Sequence, residues 1–118
     1  MATSTIKPME GITSSATVTT VVNASIDLSG GGYIRLYRRG CVVQMEAYFN
    51  VTAQIGGYAT LFNIPEGFWP YFEVEIPIVA YSSGASQFGY VNAAGSVYTR
   101  HAVIASNPTI IHALWLTK

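Results

Sequence analysis

Two stretches of the chain, residues 33–38 and 41–52, alternate apolar and polar side chains with the period of two that a half-buried β-strand requires. If Arg39 and Gly40 form a two-residue hairpin loop, Arg38 stands opposite Cys41, Leu36 opposite Val43 and Ile34 opposite Met45. That pairing gathers Ile34, Leu36, Val43, Met45, Ala47, Phe49 and Val51 on one face and predicts a core there, with Cys41 as a small member of it. The opposite face carries Tyr33, Arg35, Tyr37, Val42, Gln44, Glu46, Tyr48 and Asn50.

The same reading predicts a first strand over 18–23 and another over 58–64, ending at Pro65. Residues 71–80 alternate with Phe72, Val74, Ile76 and Ile78 inward and Glu73, Glu75 and Pro77 outward. Proline has no N–H to give a ladder, so this strand is expected at a sheet edge near Pro77. Residues 87–91 and 96–100 predict a hairpin around Asn92 to Gly95, with Tyr98 opposite Gly89. In the last strand, 109–116, Ile110, Leu114 and Leu116 line one side and Ile111, Ala113 and Trp115 the other. Two apolar sides call for two covers, and a neighbouring subunit is the expected second one. Turn signals at short intervals between such strands suit an all-β antiparallel sandwich or barrel. Residues 1–17 are small and polar with no period, and read as a linker or neck before a domain over 18–118.

Composition narrows the function. The 118 residues suit one domain, with 50% hydrophobic and only 10% charged residues, six basic against six acidic. This balance lacks the clustered Lys and Arg that nucleic-acid or anionic-membrane binding needs. Cys41 is the sole cysteine, so no intrachain disulfide is expected, and neither a signal peptide nor a run of 18 apolar residues is visible.

Catalytic candidates are few. A Ser-His-Asp triad would depend on Asp27, the only aspartate, and no G-x-S-x-G elbow accompanies it. Glu73 and Glu75 would place two carboxyls roughly 6–7 Å apart, a spacing related to glycoside hydrolysis, yet the simpler reading is a pair of solvated edge carboxylates. His101 and His112 lack partners at ligand spacing, so no metal or other cofactor is expected, and His112 reads as a core or interface residue. Eight tyrosines are more telling. Flat aromatic faces with a polar tip suit both sugar stacking and protein interfaces. Tyr33, Tyr37 and Tyr48 are expected in a subunit or intersheet contact, and Trp69, Tyr71 and Tyr81, near loop ends, are weighed equally between structural and ligand roles.

Three segments carry a family resemblance: Tyr33-Ile34-Arg35-Leu36-Tyr37-Arg38-Arg39-Gly40-Cys41-Val42-Val43, then Leu61-Phe62-Asn63-Ile64-Pro65-Glu66-Gly67-Phe68-Trp69-Pro70, then Gly89-Tyr90-Val91-Asn92-Ala93-Ala94-Gly95-Ser96-Val97. In this order residues 33–118 resemble the C-terminal β-sandwich domains of tail-fibre and baseplate receptor-binding proteins from phages of Gram-positive bacteria. Trp69 stands where that family usually has Arg, and Ile64 where it has Leu. The resemblance implies a jelly-roll-like, trimeric form of the sandwich: a non-catalytic homotrimeric appendage on the virion, outside the cell, that meets other tail or baseplate proteins and host cell-wall or surface saccharide. Its motif is a folding signature and transfers no ligand residue. The saccharide candidates therefore remain Trp69, Tyr71 and Tyr81, and the subunit-interface candidates Tyr33, Tyr37, Tyr48, Ile111 and Trp115. The alternatives are a purely architectural trimerisation cap, an adhesion module similar to the jelly rolls of the C1q and tumour-necrosis-factor group, and a glycan-cleaving enzyme using Glu73 and Glu75.

Overall fold

β-Branched and aromatic residues, which fit a pleated surface, dominate the segments that the alternation marks out. A computed structural model describes residues 11–80 and 85–118. Its strands are β1 (Ser14–Thr17), β2 (Ile26–Asp27), β3 (Tyr33–Arg39), β4 (Val42–Val51), β5 (Thr60–Asn63), β6 (Val74–Ala80), β7 (Ala85–Val91), β8 (Ser96–Thr99) and β9 (Ser106–Leu116), with one 3₁₀ turn at Glu66–Phe68. The described strands form a nine-stranded antiparallel sheet in the order β1-β3-β4-β9-β6-β7-β8-β5, with β2 paired to β4. The sheet curls over its own core. Phe49 of β4 meets Phe62 of β5 edge to face at 6.3 Å, and the N–H groups of Val22 and Asn23 both reach Leu61 O at 3.1 Å.

The predicted core face holds as a set: Ile34, Leu36, Val43, Met45, Ala47, Phe49 and Val51 are all buried. Each large aliphatic or aromatic side chain removed from water this way contributes on the order of 1.5–3 kcal/mol. The hairpin register differs, however. Arg39 pairs with Val42, so the loop is Gly40-Cys41, and Leu36 faces Met45. Gly40 takes the first loop position at φ +57°, a conformation that would strain Arg39. Because the register moves by one residue on each strand, the inward set is unchanged. Cys41 instead leaves the core face and becomes an exposed thiol in the loop.

Other expectations are corrected. Among the described residues the first strand starts at Ser14, inside the segment read as a neck, whereas 18–23 forms no strand. Val91 pairs with Val97, which sets Tyr98 opposite Tyr90 and Gly89 opposite Thr99. Gly89 serves a close approach: a Cβ there would lie 2.7 Å from Ile78 Cδ1 and 2.5 Å from Tyr98 O. Phe72 precedes β6 and is 73% exposed, because Tyr71 N is held by Leu116 O at 2.8 Å and the chain bends before the strand starts. Pro77 is not on an outer strand, since β6 lies between β9 and β7. β9 pairs in register only with Val79 and Ala80, so the missing N–H of Pro77 falls where the two strands part.

β9 also turns the expected way of sharing its two sides around. Ile111 (0% exposed) and Trp115 (5%) face the chain's own core, and Trp115 Nε1 donates to Phe68 O at 2.8 Å. They are thus core residues and do not present a subunit surface. Leu114 (64%) and Leu116 (62%) are the exposed side, and His112 beside them is exposed and not buried.

Candidate functional site

Where β6 and β9 part, the described residues form an apolar recess. Pro70 bridges Thr117 at one end, Val79 and Ala80 pair with Ile110 and Thr109 at the other, and a groove of about 410 Å³ opens near Tyr71, Phe72, Val74, Trp115 and Leu116, with Cys41 and Thr117 on its rim. Tyr71 and Phe72 hold their rings 4.7 Å apart on its lip. Tyr71 thus lies on a concave, apolar surface.

Trp69 is tied to the framework. Its Nε1 donates to Ile64 O at 2.8 Å, and its indole lies against the backbone of Gly95, where a side chain of any size would overlap it. One edge remains in a smaller polar recess of about 190 Å³ shared with Arg38, Glu66 and Lys118. Arg38 is itself engaged there, donating to Gly40 O at 2.6 Å, Gly67 O at 2.6 Å and Lys118 O at 2.8 Å. Tyr81 lies outside the described residues.

The outward face of β3, β4 and β9 carries the remaining interface candidates in rows. Tyr33, Tyr48 and Ile110 stand abreast, then Arg35, Glu46 and His112, then Tyr37, Gln44 and Leu114, then Arg39, Val42 and Leu116. Tyr33 and Tyr48 stack at 5.9 Å and 13°, with the Arg35 guanidinium 3.9 Å above the Tyr33 ring centroid. Burial, and next the Glu46 carboxylate, push the Tyr37 hydroxyl above its ordinary pKa. The apolar end of this face, Val42, Leu114 and Leu116, runs into the groove through Leu116. The sequence signal for these leucines was present in the two-sided β9 pattern, but it could not tell which side the chain would cover itself.

Glu73 and Glu75 are separately engaged. Tyr98 donates its hydroxyl hydrogen to Glu73, and Arg100 Nη1 lies 3.6 Å from Glu75. The bond to Glu73 is the main reason the Tyr98 pKa is pushed up to about 12. Tyr90, Tyr98 and Arg100 were missed as candidates because only the Val91–Val97 register brings the two rings together. Among the described residues, no three His, Cys, Asp or Glu side chains gather as a metal site. No family model matches the chain, and a search of curated proteins found no match.

Proposed function

We propose that the chain is a non-catalytic recognition domain that assembles as a homotrimer and binds host-surface saccharide, in the manner of the phage tail-fibre and baseplate domains it resembles, with the curled sheet serving as the two layers of a sandwich. The observation that carries this reading is the exposed apolar set around the groove: Val42, Leu114, Leu116, Tyr71 and Phe72. Such a contiguous patch on a weakly charged domain calls for a partner. Covering Leu114 and Leu116 alone would gain on the order of 1–2 kcal/mol each, repeated at every subunit contact. Aromatic surface, low charge and three copies suit weak single-site sugar binding raised by valency.

Light scattering after size exclusion tests it. The expected mass is that of three chains of 12.7 kDa each. A double variant Leu114→Asp/Leu116→Asp should be monomeric with an unchanged circular dichroism spectrum. A wild-type monomer at about 100 μM, well above the Kd of a stable assembly, overturns the trimer.

A further inference from the structure

A second surface is built on the outward face of β6, β7 and β8. Glu75, Tyr90 and Tyr98 stand abreast in register across three strands, with Thr60 of β5 continuing the row. The Tyr90 and Tyr98 rings lie 5.4 Å apart, tilted by 31°. Their tips are anchored: Tyr98 donates to Glu73, and Tyr90 Oη accepts from Arg100 Nη1 at 2.5 Å. Phe88 is exposed at one side. Tyr58, 72% exposed, lies two residues before Thr60 and next to Ala59, whose carbonyl accepts from Thr99 N at 3.0 Å. Tyr58 also holds φ +56°, a left-handed backbone that a bulky residue adopts at a cost. None of these residues belongs to the hydrophobic core, so the row stands on the outside of the sheet.

We propose that this face is a binding site for a neutral pyranose unit of a surface polysaccharide; the proposal rests on the saccharide reading above and gives it a location and a sugar class. The fixed tyrosine faces match the C–H side of a pyranose ring, and their anchored tips mean that little rotamer freedom is lost on binding. Glu73 and Glu75 offer acceptors to ring hydroxyls, and Arg100 offers donors. Two carboxylates against one guanidinium leave the row with an excess negative charge, which disfavours uronate and phosphate-bearing sugars and selects neutral ones.

The test is an NMR titration of the full chain with methyl glucoside, methyl galactoside, N-acetylglucosamine and glucuronate, each to about 50 mM, enough to saturate a site with a Kd of a few mM. The expected result is movement of the Tyr58, Tyr90 and Tyr98 ring signals with at least one neutral sugar and not with glucuronate. Tyr58→Ala, which alters an exposed residue, should weaken that binding about three- to tenfold, and an unchanged affinity would overturn this location. Shifts confined to Tyr71 and Phe72 would overturn this location while keeping saccharide recognition. No response to any sugar would overturn both, and an equal response to glucuronate would overturn the charge selection.

Discussion

Replacing Gly95 with alanine tests how the late hairpin and the Trp69 turn are joined. Gly95 closes the β7–β8 turn at φ +81°, donates to Asn92 O at 3.0 Å and accepts from Ile64 N at 2.8 Å. A Cβ at this position would overlap Nε1 and Cδ1 of Trp69 and come within 2.9 Å of Cε2. The ring would have to move, and Ile64 O would lose its 2.8 Å bond from Nε1. Left-handed strain costs about 1–2 kcal/mol for alanine, and an orphaned carbonyl about 1–3 kcal/mol more. The expected loss is therefore roughly 2–5 kcal/mol, a large part of a typical 5–15 kcal/mol stability. Gly40→Ala supplies the control. Its φ is +57°, but no atom beyond its chain neighbours lies within 4 Å of the new Cβ, so only the strain of about 1–2 kcal/mol applies. Urea unfolding followed by circular dichroism and tryptophan fluorescence measures both. Equal losses in the two variants would refute the steric link to Trp69.

Three further outcomes follow from the described contacts. Tyr98 has a folded-state pKa of about 12 against an ordinary 10, so its neutral form is favoured by folding; the associated stability is present below pH 10 and is lost as pH rises through 12. Glu73→Gln should lower the Tyr98 titration midpoint towards 10 by NMR, and an unmoved midpoint would show that the Glu73 bond is not its cause. Cys41 should react with a maleimide in the native protein as fast as in the unfolded chain; protection by more than about tenfold would place the thiol back in the core. Trp115→Phe should cost about 2–4 kcal/mol in urea unfolding, because it leaves Phe68 O without its donor and opens space in the core, whereas a loss under about 1 kcal/mol would contradict that packing.

The core of β3 and β4 was legible because face parity survives an error in hairpin position: whether Leu36 meets Val43 or Met45, both lie inward. Cys41 was misplaced by the same small error, since one residue decides between strand and loop. Phe72 obeyed the alternation but not the fold, because the bend imposed by the Tyr71–Leu116 bond is a long-range event invisible in local pattern. For β9, periodicity exposed two apolar sides without saying that the chain's own core, with Phe68 of the 3₁₀ turn holding Trp115, would cover one and leave Leu114 and Leu116 bare. Trp69 reads in sequence as a loop aromatic, but its indole donates to Ile64 O and lies against Gly95, and Tyr90 gains meaning only beside Tyr98. Local chemistry thus marks residues capable of recognition, while long-range register decides which are brought together.

The place of β9 has a kinetic consequence. It follows every other strand in sequence, yet in the sheet it stands between β4 and β6. The β3–β4 hairpin and the β6–β7–β8 meander can each form from near neighbours, but they are joined into one sheet only when β9 arrives to pair with Val42–Val51 on one side and with Val79 and Ala80 on the other. Closure of so many distant pairs is slow. While the chain is being synthesised, both half-sheets present bare strand edges able to pair with another nascent copy. The window in which misassembly competes with folding therefore closes with the docking of one strand, and sequence changes within 106–116 should alter the yield of folded protein more steeply than equal changes in β1.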